Sequence, residues 1–175
     1  MIQFYCTLVV ITMLASAVFA QTSQNPCGGD KIREFDFWLG NWDLEWKGPK
    51  GEIQKGTNEI KRVLDGCVVE ESFNGGTDLP LRGRSYSMVD RISNKWKQTW
   101  VDNQGSYLDF TGGMEDGKMV LSREFTDAKG NKRMQRMVFF NIEKESLDWN
   151  WENSADGGKT WNLAWHISYK RRSAQ

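Results

Sequence analysis

Few side chains in this 175-residue chain are of a type and spacing that could do chemistry, and its single histidine, His166, comes first. An imidazole can serve as a general base or a metal ligand. With one His and two cysteines that are better paired with each other, however, there is no ligand cluster, so no metal site and no cofactor are expected. The adjacent carboxylates Glu70 and Glu71 must point to opposite faces of a strand, which denies them joint acid and base work, and no catalytic residue is assigned. Recognition chemistry is better represented. Arg82, Arg84 and Tyr86 share one face of a run near 81–90, and Gln98, Trp100 and Asp102 share one face of the next. Arg84, Tyr86, Gln98 and Trp100, brought together in an interior, would orient a ligand carboxylate or carbonyl, and they form the candidate binding set. The same spacing also suits outward polar positions, and parity alone does not decide.

The elements that must position these groups follow from periodicity. Asp30 can cap a short helix that gathers Ile32, Phe35, Trp38 and Leu39 on one side, with Gly40 at its C-terminal end. After Gly40 the period becomes two: Trp42, Leu44 and Trp46 alternate with Asp43 and Glu45. Further strand-like runs near 52–64, 67–73, 81–90, 96–102, 106–112, 118–126, 131–142, 147–153 and 160–170 are separated by turns rich in Gly, Asp and Asn. About ten short strands with hairpin-sized connections and no crossover helix predict an all-β antiparallel meander. At this length it closes most simply into an up-and-down barrel over 30–172, which removes exposed edges; a two-sheet sandwich is the alternative.

The first twenty residues form an apolar stretch ending Val18-Phe19-Ala20, which predicts a signal peptide over 1–20 cleaved after Ala20, followed by a polar linker over 21–29. An uncleaved anchor is the rival reading. Cleavage predicts a periplasmic or extracellular protein with no membrane insertion afterwards. It would also remove Cys6, leaving Cys27 and Cys67 in an oxidising compartment. A disulfide between them would close a loop of about forty residues, and two separate thiols are the alternative. Basic and acidic residues balance at 23 each, without runs of either sign, so no nucleic-acid partner is expected. A neutral, apolar or amphipathic small molecule is the partner that this composition suits.

The stretch SADGGKTW at 154–161 fits the Asp-box pattern S-x-D-x-G-x-T-W found in sialidases. In a hairpin its residues have local work: Asp156 accepts hydrogen bonds from the turn, and Gly157 and Gly158 supply positive φ. One box in a chain with room for about three propeller blades predicts a turn and not a glycosidase.

The segments FDFWLGNWDL at 35–44, LDGCVVEESF at 64–73, WKQTWVDNQGSYLDFTGG at 96–113 and SADGGKTWNLAWHISYKRR at 154–172 resemble a family of secreted bacterial proteins of unknown function. That family is similar to lipocalin-like, calycin barrels, the group that also holds fatty-acid-binding proteins and nitrobindins. The resemblance implies a lipocalin-like barrel and, by analogy of fold, small-ligand binding without chemistry of its own. The other classes are an enzyme acting within the barrel and a structural module with a filled interior. Nitrobindin-like barrels ligate haem through a His near the C-terminus, a place similar to that of His166, but the glycine-rich turn after their first strand has no match in WDLEWKGPKG. Five large apolar residues at alternate positions, Trp161, Leu163, Trp165, Ile167 and Tyr169, are therefore expected to face inward and His166 outward.

Overall fold

Trp42, Leu44 and Trp46 are buried while Asp43 and Glu45 between them are exposed, and this alternation runs through most of the chain. The computed structural model describes residues 27–173 together with Met1. The expected leader at 1–20 and most of the linker at 21–29 lie outside the described residues.

A one-turn helix α1 (Asp30–Arg33) and a 3-10 turn (Asp36–Trp38) precede ten strands. These are β1 (Gly40–Lys47), β2 (Ile53–Val63), β3 (Val68–Asn74), β4 (Arg82–Asp90), β5 (Lys95–Asp102), β6 (Tyr107–Glu115), β7 (Lys118–Thr126), β8 (Lys132–Phe140), β9 (Ser146–Ser154) and β10 (Asn162–Arg171). Every strand pairs antiparallel with its neighbours in sequence, and β10 pairs with β1, so the sheet is a closed barrel. Closure leaves no edge on which another chain could add a strand.

The expected single helix over 30–39 is instead two short turns. Gly29, not Asp30, precedes α1, and no side chain caps it. Tertiary packing outweighs local propensity here, because Phe35 and Trp38 are drawn into one end of the barrel. Phe35 stands edge-on to Trp96 and Phe139, with ring centroids 4.7 and 5.6 Å apart, and Trp38 packs on Phe139 at 5.0 Å.

Two arginines hold this plug in place. Arg62 on β2 bonds Asp36 and the carbonyls of Ile32 and Gly66, while Arg171 on β10 donates to the carbonyls of Leu39 and Phe37. The Arg171 guanidinium also lies 4.1 Å from the ring centroid of Trp42, whose indole N–H donates to the Trp38 carbonyl at 2.7 Å. A disulfide between Cys27 and Cys67, with Cα atoms 4.9 Å apart, ties the segment before α1 to the β2–β3 turn at the same end. The opposite rim carries the turns after β1, β3, β5, β7 and β9, and the plug leaves that rim uncovered.

Candidate functional site

Above the plug the barrel encloses a cavity of about 210 Å³. Its floor is Trp38 and Phe139, its walls include Phe73, Phe110, Met137, Trp149, Trp151, Trp165 and Ile167, and it reaches the rim at Leu81, Asp102 and Leu108. The walls are aromatic because inward positions of β9 and β10 pair across the sheet, Ile167 with Trp149 and Trp165 with Trp151. The Trp149 ring stands perpendicular to that of Trp165 at 5.7 Å and tilted to that of Trp151 at 6.2 Å. Eight of the nine tryptophans belong to this interior or its plug; only Trp161 lies outside.

Polar groups enter this interior at two levels. Deep in the barrel, Glu71 on β3 is 6% exposed and lines the cavity. Its carboxyl accepts from Asn58 Nδ2 at 2.7 Å and Ser85 Oγ at 2.6 Å. Burial pushes the Glu71 pKa up, and the two hydrogen bonds offset that only in part. The Tyr169 hydroxyl lies 3.4 Å from Asn58 Nδ2. Burial and the nearby Glu71 hold that phenol above its usual range, so it stays neutral. At the rim, burial opposes the charge of Asp102. Hydrogen bonds from Trp100 Nε1 at 2.9 Å and from the amides of Ser106 and Gln104 nevertheless keep its carboxyl below the usual value. Among the described residues, Asn58 Oδ1, Trp38 Nε1 and Arg123 Nε are buried without a hydrogen-bond partner.

The four expected binding residues do not converge. Gln98 is buried inside, where its amide donates to Ser87 Oγ at 2.9 Å, and Trp100 lines the cavity. Arg84 and Tyr86 are on the outer wall instead, both bonded to Glu70 Oε1, at 3.2 and 3.1 Å. The β4–β5 register is the reason: Ser85 stands opposite Trp100 and Ser87 opposite Gln98, which sends Arg84 and Tyr86 to the other face. The interior set is completed by Tyr169, inward as expected for the last strand, and by Asn58 and Glu71, which sequence reasoning missed. The signal for Glu71 is legible in retrospect, since it shares the inward parity of β3 with the apolar Val69 and Phe73, whereas Asn58 shares its parity on β2 with the polar Gln54 and Arg62.

His166 lies on the outer face of β10 and is exposed. Its Nδ1 contacts Asn150 Oδ1 at 2.8 Å and its Nε2 lies 3.3 Å from Ser168 Oγ. This grouping resembles a nucleophile and base, but the Ser168 hydroxyl donates to Asp148 at 3.0 Å, so the imidazole does not activate it. The inward expectation for the last strand holds for Trp165, Ile167 and Tyr169 but not for its first two members. A register shift between Leu163 and Trp165 turns Leu163 outward, and Trp161 packs outside beneath Arg136, 4.2 Å from its ring centroid.

In the Asp-box turn, Asp156 accepts from Ser154 Oγ at 2.7 Å and from the amide and hydroxyl of Thr160 at 3.0 and 2.6 Å. Both carboxylate oxygens of Asp156 are thus engaged in fixing the turn. No family model matches the chain, and no curated protein matches it in sequence.

Proposed function

We propose that this protein is a secreted, lipocalin-like barrel that binds a small, largely apolar molecule in its interior. The aromatic cavity above the plug carries this reading. An engineered apolar cavity of roughly 150 Å³ holds benzene, so about 210 Å³ admits a molecule of about eight or nine non-hydrogen atoms. That is far short of a haem or a long acyl chain, so a ligand of single-ring size fits best. Few polar groups among many apolar ones is the usual make-up of such sites, because the polar groups orient a ligand that the walls desolvate.

The disulfide accords with an oxidising compartment, and no helix among the described residues is long and apolar enough to cross a membrane. Isothermal titration calorimetry with 2-phenylethanol, a neutral single-ring probe, tests the binding reading. Saturable binding to the wild type that is lost in Leu81→Trp, which blocks the rim, is the expected outcome. Absence of binding, together with a ligand-free native mass spectrum of protein purified from its own host, would overturn it.

A further inference from the structure

The ionisable groups of the cavity are one-sided. Glu71 and Asp102 line it and no Lys, Arg or His does. Arg123, the interior cation of β7, stacks on Phe110 and Phe125 at 5.9 and 5.0 Å and stands outside the lining. The partners of the Glu71 carboxyl, Asn58 and Ser85, are both neutral, so its charge is hydrogen-bonded but not balanced. Beside it, Asn58 Oδ1 is a buried acceptor that lacks a donor. The cavity that Glu71 lines is also lined by Trp149, Trp151 and Trp165, and the negative face of an aromatic ring attracts a cation. A molecule that carries several N–H donors and a positive charge would answer all three features at once, and an ammonium has three such donors. The ionised Asp102 at the rim favours entry of the same charge.

We infer that the barrel is selective for a small organic cation of the arylalkylamine class, with its ammonium on Glu71 and its ring within the tryptophan cage. The inference rests on the binding reading above and narrows it to one charge class. Binding requires the ionised Glu71. Burial raises the carboxyl's pKa in the empty barrel, and an adjacent ammonium lowers it, so complex formation releases a proton where the empty site is still protonated. The groups facing Glu71 are Asn58 from β2, Ser85 from β4 and Tyr169 from β10, of which only Tyr169 titrates, and it stays neutral. Asp102 at the rim, Arg123 on β7 and Glu34, which accepts from Trp96 Nε1 at the plug, are the more distant charges.

The test compares three probes of one size: 2-phenylethylammonium, 2-phenylethanol and phenylacetate, titrated calorimetrically at neutral pH. The ammonium should bind about tenfold or more tighter than the alcohol, with phenylacetate weakest. Its affinity should fall on acidification, and in the pH range where the empty site is still protonated its apparent enthalpy should vary with the ionisation heat of the buffer. Glu71→Gln should abolish the preference of the ammonium over the alcohol. If that variant fails to fold, the wild-type comparison decides. Alcohol or phenylacetate binding as tightly as the ammonium would overturn the charge class and leave the binding site standing. Failure of all three would overturn the charge class and, together with a ligand-free native mass spectrum, the binding reading as well, and a preference that survives in Glu71→Gln would overturn the assignment to Glu71.

Discussion

Asp156 and Asp127 show how single carboxylates hold the open rim in shape. Hydrogen bonds from the hydroxyl and amide of Thr160 and from Ser154 bring the Asp156 carboxyl down to about 2, and the amide of Asn131 and the Arg133 side chain do the same for Asp127. A carboxyl whose folded pKa is depressed contributes stability that is fully present above its unfolded value, near 4, and is lost as pH falls toward 2. Asp156→Asn should therefore lower the urea midpoint at neutral pH, leave the m-value unchanged, and flatten part of the midpoint's decline over that acid window. Denaturation curves collected across the window check this. The outward His166 yields a second expectation: hemin should give no saturable Soret shift, and His166→Ala should not alter the spectrum. Side-chain chemistry was only partly legible from the sequence. The outward direction of His166 followed from the apolar stripe on the other face of its strand, and the role of Asp156 followed from its turn motif. Glu71 was passed over because the sequence places Glu70 and Glu71 on opposite faces without saying which of the two is inside, and the folded strand shows that it is Glu71.

Among the elements, the ten strands could be read almost to their ends because alternation and turn residues agree along nearly the whole chain. The plug and the start of β10 could not. The plug's conformation depends on aromatic partners distant in sequence, such as Trp96 and Phe139, and the register shift near Leu163 interrupts an alternation that looks unbroken in the sequence. Gly83 on β4 is a further case. A Cβ at that position would lie 2.0 Å from Trp100, so the indole occupies the space a side chain would take. Gly83→Val should displace Trp100 into the cavity and abolish binding of 2-phenylethanol, with a smaller loss of stability than a core truncation. Calorimetry and thermal melts on the same sample separate the two effects. Trp42, fully buried and stacked beneath Arg171, supplies the contrast. Trp42→Ala should cost about 3–5 kcal/mol in chemical denaturation, the usual scale for truncating a large buried side chain.

The molecule as a whole is fastened at two places of different sequence reach. The Cys27–Cys67 bridge spans 40 residues, which the chain-entropy account values at about 4 kcal/mol. The unfolded, unreduced protein should expose no thiol from this pair, and the Cys27→Ser, Cys67→Ser double variant should unfold at lower urea by up to that amount. The β1–β10 seam, by contrast, joins Trp42 to Arg171 and Glu45 to Ser168, nearly the full length of the domain. During synthesis, which proceeds from the N-terminus, the bridge can form once β3 has begun, whereas the seam has to wait for β10. Until then the partly made sheet presents two open edges and an uncovered wall of tryptophans. A message truncated before Asn162 would fix the chain in that state, so loss of β10 is expected to send the product to aggregates or proteolysis rather than to a slightly weaker barrel.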